Sequence, residues 1–153
     1  MTVLPVAQIL HDHAHECVTT VTLDYASRFL RRKRLRTDAG WAFVVDLENT
    51  RSLDHGAGLE LTDGRMIGVR AAVEPVLDVT GDLPRLAWHI GNRHTPCQIL
   101  PDRLRIQRDP VIRHMLEHLG AGISEVDAPF TPEGGAYGHG RTHSHEHGAS
   151  AHV

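Results

Sequence analysis

Apolar and polar residues alternate through the first half of the chain, and this alternation predicts β-strands. Runs rich in β-branched residues are separated by glycine-containing turns, where glycine adopts positive φ at little cost. The runs occupy residues 17–23, 41–47, 59–61 and 66–73. The pattern predicts an all-β N-terminal domain, arranged as a meander or a small barrel.

A basic run at residues 28–36 precedes the first of these turns, with Leu30 and Leu35 as its candidate inward-facing residues. Two interpretations stay open. Clustered arginines could bind phosphate, whereas a heavily charged strand more often blocks edge-to-edge pairing of sheets. The sequence favours the second interpretation.

The spacing of apolar residues changes near residue 72, where strands begin to alternate with helices. A strand at 73–79 is followed by Asp82, a candidate N-cap, and then by apolar residues at helical spacing, namely Leu83, Leu86, Ala87 and Ile90. This first helix is expected to end near Gly91. Two short strands at 97–100 and 104–106 then form a hairpin.

The second helix has the clearest start in the chain, because Asp109 can cap it and Pro110 suits its first position. Gly120 ends the helix, and its predicted apolar face consists of Val111, Met115, Leu116 and Leu119. A last strand is predicted at 122–129. The order strand, helix, strand, strand, helix, strand is that of the ferredoxin-like fold.

These elements predict an α+β protein in three parts. An all-β domain occupies residues 1–72, a ferredoxin-like βαββαβ domain occupies 73–134, and a disordered His-rich tail occupies 135–153. The boundary near residue 72 is placed where the strand-only pattern ends.

Composition narrows the possible functions. The chain has 153 residues, 41% of them hydrophobic, which is enough for one core of ordinary size or two small ones. Its net charge of -3 offers no general attraction to nucleic acid, so no such partner is expected. Two distant cysteines, no secretory leader and no apolar run of about 20 residues predict a soluble cytoplasmic protein with no membrane partner.

The C-terminal tail is rich in metal-ligating side chains and lacks apolar periodicity. Neutral imidazole suits nickel, zinc and copper, and a flexible string of imidazoles can wrap around an ion without preformed geometry. The simpler alternative is a soluble, disordered segment. The alternating pattern favours metal binding by His139, His143, His145, His147 and His152.

His94 is the candidate metal ligand inside the folded part, because it lies on the predicted connection between the first helix and the hairpin. A lone surface histidine usually has no such role, and one imidazole cannot hold a divalent ion tightly. In a dimer with His94 near the two-fold axis, however, the second subunit would supply another ligand and the tails could supply the rest.

Other histidines and both cysteines give weaker signals. The alternating His11, His13 and His15 would line the solvent-facing side of a strand, which is the favoured interpretation over a metal site. On the second helix, His114 and His118 are four residues apart, a spacing that suits chelation. No glutamate directly follows His114, so the zinc-protease motif is absent. Packing at the edge of the core is the favoured role of His118. The ligand candidates left open are His114, His118, Cys17 and Cys97.

Three segments together resemble the UreE family of urease accessory proteins, which are nickel metallochaperones. They are Gly-Asn-Arg-His-Thr-Pro-Cys-Gln-Ile at 91–99, Pro-Phe-Thr-Pro-Glu-Gly-Gly-Ala-Tyr-Gly-His at 129–139, and the His-rich terminus. The resemblance implies a peptide-binding-like β domain, a ferredoxin-like metal-binding domain, and a homodimer whose subunits share a nickel ion through His94. Some relatives carry further histidines before the second helix, where this chain has Gln-Arg-Asp-Pro at 107–110.

The function implied by the resemblance is delivery of nickel to apo-urease while the urease metallocentre is assembled. The expected partners are the GTP-dependent urease accessory protein and the apo-urease activation complex, with zinc or copper as alternative ions. The chain is expected not to be an enzyme. Two other hypotheses stay open: a metal-dependent hydrolase using His94, and a nickel or zinc store acting through the tail.

Overall fold

The computed structural model describes residues 3–135, and the chain divides into two compact units, Met1–Ala72 and Val73–Val153. Ten strands and two α-helices form within the described range. The predicted α+β class is therefore confirmed. The five tail histidines lie outside the described residues. No helix in the described range is long and apolar enough to cross a membrane.

The first unit is a six-stranded sheet with one short 3-10 turn, Ala26–Arg28. Its strands are β1 (Val6–His11), β2 (Thr19–Leu23), β3 (Phe29–Arg36), β4 (Ala42–Ser52), β5 (Gly58–Leu61) and β6 (Met66–Ala71). The order across the sheet is β2-β6-β5-β1-β4-β3. Two neighbouring pairs, β1 with β4 and β2 with β6, are parallel, and the other pairs are antiparallel.

The predicted meander or small barrel is wrong, because the sheet is mixed and has two edge strands, β2 and β3. A meander pairs each strand with the next one in the chain. Here β1, which the sequence pattern did not reveal, inserts between β4 and β5 and separates them. Non-local pairing of this kind leaves no trace in local periodicity.

Leu30 and Leu35 both face the core, as predicted, with 7% and 8% of their surfaces exposed. Residues five apart on a regular strand point to opposite faces of the sheet. The pairing of β3 with β4 shifts register between Leu30 and Arg32, and this irregularity brings both leucines to the same side.

The second unit contains β7 (Val73–Thr80), α1 (Leu83–Asn92), β8 (Gln98–Ile99), β9 (Leu104–Gln107), α2 (Pro110–His118) and β10 (Gly122–Pro129). Its antiparallel sheet has the order β10-β7-β9-β8. Both predicted N-caps are confirmed. The Asp82 side chain accepts a hydrogen bond from the Arg85 backbone N–H, and the Asp109 side chain accepts from those of Val111 and Ile112.

The apolar face of α2 differs from the prediction. Ile112 and Leu116 are its buried residues, whereas Val111 is 66% exposed. The two buried residues are four apart and therefore share one helix face. His118 is exposed, so its predicted packing at the edge of the core is wrong.

A buried carboxylate, Asp78 on β7, ties β7 to β9 and to the loop that precedes it. Its oxygens accept hydrogen bonds from Arg105 Nε at 2.7 Å and from Arg103 Nη1 at 3.1 Å. These bonds, from Arg105 first, hold the pKa of Asp78 below its usual range despite the opposing effect of burial.

Substituting Asp78→Asn is expected to lower the free energy of unfolding by about 2 kcal/mol near neutral pH, since charge-assisted hydrogen bonds are lost. Because the folded pKa is depressed, this stabilisation is present above the unfolded carboxyl pKa of about 4 and is lost as pH falls through the folded pKa. The variant and the parent should therefore converge in acid. Urea denaturation at both pH values measures this, with the exposed Asp102→Asn as a control. An equal loss in Asp102→Asn would contradict the prediction.

Candidate metal site

His94 is exposed on the connection between α1 and β8, as the sequence predicted. Its backbone N–H donates to the Gly91 carbonyl at 2.9 Å, which ends the helix. Its φ is 57°, in the left-handed region that helix ends commonly use and that glycine fills most easily. A residue with a Cβ is strained there by about 1 kcal/mol. A glycine would serve the turn better, so the imidazole at this position has a stability cost.

The connection that carries His94 is fixed at both ends. Before His94, the Arg93 side chain donates through Nε to Met115 Sδ of α2 at 3.1 Å. After it, Thr95 donates its backbone N–H to the Ile90 carbonyl at 3.3 Å. The position of the His94 backbone is therefore set by the protein, while its side chain stays accessible to a ligand.

Cys97, left open as a ligand candidate, is partly buried against the core of the second unit. Burial first, and the negative charge of Glu133 second, raise the pKa of its thiol to about 11. The thiolate is the form that binds metal. Without a metal ion, Cys97 is therefore a protonated thiol near neutral pH.

The described end of the chain is attached next to the His94 connection. Phe130 is fully buried. The Thr131 backbone N–H donates to Gln98 Oε1 at 3.0 Å, and the Glu133 backbone N–H donates to the Cys97 carbonyl at 2.9 Å. Glu133 is thus bonded to a residue three positions after His94. His139 is the sixth residue after Glu133, and six residues of fully extended chain span at most about 20 Å.

The remaining histidines do not form a metal site within residues 3–135, where no group of three or more potential ligands comes together. His11 Nε2 lies 2.7 Å from Glu60 Oε1. β1 ends at His11, so the prediction that the alternating histidines line a strand is wrong, and His13 and His15 lie on the exposed connection that follows. His114 and His118 are both exposed on α2.

The arrangement provides one fixed, exposed imidazole and, beside it, the point from which the histidine-bearing tail leaves the folded unit. A tight divalent-ion site needs about four donors, so His94 requires ligands from elsewhere. The tail or a second copy of the chain could supply them. Within the described residues, His94 is thus a single fixed imidazole and not a complete metal site.

Comparisons with known proteins identify the family of the chain. Residues 2–72 match the model of the UreE urease accessory protein N-terminal domain, and residues 73–153 match the C-terminal domain model. A protein named urease accessory protein UreE from Ruegeria pomeroyi is 62% identical over 136 residues, covering 88% of this chain and 91% of the relative. The chain belongs to the UreE family of urease accessory proteins, and the resemblance seen in its motifs is confirmed.

Two further relatives carry the same name. The one from Rhodobacter capsulatus is 58% identical over 128 residues, with 84% of this chain and 82% of the relative covered. The one from Paracoccus denitrificans is 62% identical over 122 residues, with 80% of this chain and 79% of the relative covered. The similarity extends over both units, whose boundary lies between residues 72 and 73.

Sequence reasoning missed Gln98 as a site residue, because its role depends on a contact with Thr131, 33 positions away. A signal was nevertheless present. The two motifs that carried the family resemblance, at 91–99 and 129–139, are the two segments that hydrogen-bond to each other here. These two motifs are far apart in the sequence but occur in a fixed order, which was a reason to expect that they contact each other in the folded chain.

Proposed function

We propose that this protein is a nickel metallochaperone that delivers nickel to apo-urease during assembly of the urease metallocentre. The observation that carries the proposal is the attachment of Thr131 and Glu133, just before the His-rich tail, beside the connection that carries His94. The hydrogen bonds from Thr131 to Gln98 and from Glu133 to Cys97 hold the chain close to the His94 connection just before the tail begins, and this supports a role for the tail imidazoles as further ligands. The names of the relatives supply the link to urease.

The proposed ion site is shared by two subunits. A homodimer with His94 near its two-fold axis would double the fixed imidazoles, and a two-fold interface places the same residues opposite each other. Trp88 supports such an interface, because it is 64% exposed on α1 only six residues before His94. A large exposed aromatic side chain is common at protein interfaces and uncommon elsewhere on the surface.

Delivery requires that the ion leaves the carrier readily. Imidazole ligands from a tethered tail can leave one at a time, so a partner can take over the coordination stepwise. The proposed recipients are the GTP-dependent urease accessory protein and the apo-urease activation complex, met in the cytoplasm. The ligands His139, His143, His145, His147 and His152 would add capacity around the His94 site, and zinc or copper could occupy it, since imidazole binds all three ions.

We propose the ferredoxin-like fold for the second unit. Its strand and helix order, and a sheet in which the first strand lies between the fourth and the third, support that assignment. The family also implies a peptide-binding-like role for the first unit. In this proposal the chain catalyses no reaction, because a hydrolase would need a rigid set of about three ligands and a positioned base.

An activation assay tests this function. Apo-urease and its other accessory proteins are incubated at chelator-buffered, limiting nickel, with and without this protein, and urease activity is then measured. We expect a higher yield of active urease with the nickel-loaded protein, and no urea hydrolysis by the protein alone. Equal activation in both arms would refute the carrier, and metal-dependent turnover by this chain alone would establish the hydrolase instead.

A further inference from the structure

One edge of the first sheet carries an ordered row of cations. β3 is an edge strand, and its only partner strand among the described residues is β4. Arg32, Arg34 and Arg36 lie opposite Asp46, Val44 and Ala42 in the register. Leu35 lies opposite the buried Phe43, so the three arginines project from the other face of the strand.

The arginine row, defined as Arg32, Arg34 and Arg36, is exposed and forms no ion pair within residues 3–135. Arg36 Nη1 donates to the Gly40 carbonyl, which uses one of its five donors. Successive members are two residues apart, or about 7 Å along a strand. The row is therefore a linear array of guanidinium groups with unused donors, in a chain whose net charge is -3.

The opposite edge of the sheet differs in chemistry. β2 has no charged residue, and the Asp38 carboxylate accepts hydrogen bonds from the hydroxyls of Thr20 and Thr22. The Asp38 backbone N–H also donates to the Thr20 carbonyl at 2.8 Å. The turn after β3 thus contacts the β2 edge, whereas no second strand among the described residues pairs with β3 at Arg32 and Arg34.

Protection against aggregation explains part of this pattern. Lys33 lies opposite the buried Val45 yet is itself exposed, and an inward-side charge on an edge strand blocks indiscriminate pairing. A single such charge suffices for that purpose. The arginine row lies on the other face and has a regular spacing, and the guanidinium fork matches the geometry of a carboxylate.

We propose that the β3 edge is a docking site for an acidic, extended segment of a partner protein. The segment adds as a strand to β3, with carboxylates at alternate positions facing the arginine row. An extended peptide repeats its side chains at the same spacing as β3, and its backbone can form hydrogen bonds with an edge strand at Arg32 and Arg34. Nucleic acid fits less well, because three cations provide few phosphate contacts. The arginine row belongs to the first unit and His94 to the second, and binding to the row does not require nickel.

Fluorescence anisotropy with the full-length protein tests the proposal. The probe is a short labelled peptide in which glutamate alternates with valine, and the comparison peptides replace glutamate with lysine or carry N-methyl groups at alternate residues. The variant Arg34→Glu reverses the central charge. Its matched control is Arg70→Glu, which alters an exposed arginine on β6 of the same sheet. A single-stranded RNA oligonucleotide forms a separate arm.

We expect the glutamate peptide to bind, and Arg34→Glu to weaken its binding about tenfold by removing one pair and introducing repulsion. Arg70→Glu should change it less than about twofold, since Arg70 lies outside the arginine row and exposed charges that form no direct pair are screened. The lysine and N-methyl peptides should bind weakly. Hydrogen exchange of the unmodified protein should show protection of β3 amides by the peptide, whether or not the variants fold.

Several results would overturn the proposal. These are no binding of the glutamate peptide, equal weakening by Arg34→Glu and Arg70→Glu, or unchanged binding of the N-methyl peptide, which cannot pair as a strand. Tighter binding of the RNA, lost in Arg34→Glu, would assign the arginine row to nucleic acid.

Discussion

Replacing His94 with alanine is expected to weaken the tightest nickel site by a factor on the order of 100 or more while the protein stays folded. Altering only the residues that support a metal ligand typically lowers affinity about 10- to 100-fold, and losing the ligand itself should do at least as much. The fold should survive, because the hydrogen bond that ends α1 uses the backbone N–H of His94 and not its imidazole. Calorimetric titration with nickel measures the change.

A second substitution at the same position separates binding from stability. With φ at 57°, glycine is less strained than alanine, so His94→Gly should be more stable than His94→Ala by about 1 kcal/mol. Both variants lack the imidazole and should lose the site equally. A loss of binding shared by the two variants therefore could not be attributed to unfolding.

His13→Ala is the matched control, since His13 is an exposed histidine on the connection after β1. It should leave the tight site unchanged. Undiminished tight binding in folded His94→Ala protein would show that His94 is not the ligand, and the proposed shared site would then be wrong.

The second unit was predicted more closely than the first, because its elements carry local signals. Asp82 and Asp109 cap the two helices through contacts within three residues, and such short-range chemistry is visible in the sequence. The first unit depends on β1 pairing with both β4 and β5, which are far away along the chain. No local pattern specifies that order, so the strands other than β1 gave a local signal but their arrangement did not.

The candidate metal site likewise combines features that were visible in the sequence with features that required the folded chain. The exposure of His94 followed from its place after a helix and before a proline, and the structure agrees. The phase of α2 was misjudged because Val111 and Ile112 are both apolar and only packing against the sheet decides between them. The contacts of Gln98 with Thr131 likewise required the folded chain.

Deleting residues 139–153 is expected to lower the number of bound nickel ions while preserving one His94-dependent site per dimer. The deletion removes five imidazoles but leaves Thr131 and Glu133, whose backbone N–H groups anchor the root of the tail. A tethered ligand acts at an effective concentration in the millimolar range, far above that of the free protein in the assay. The tail should therefore strengthen the His94 site chiefly because it is attached next to it.

Equilibrium dialysis on a chain ending at Gly138, with the 139–153 segment supplied as a separate peptide, tests this directly. The peptide should restore the lost affinity only near millimolar concentration. In the full chain, Gln98→Ala removes the acceptor for the Thr131 N–H and should weaken the tail's contribution, whereas Gln98→Glu keeps an acceptor oxygen and should preserve it. Restoration by micromolar peptide would mean that attachment beside His94 is irrelevant. A truncated chain that binds no nickel would make the tail the primary site, which is the behaviour of a storage protein.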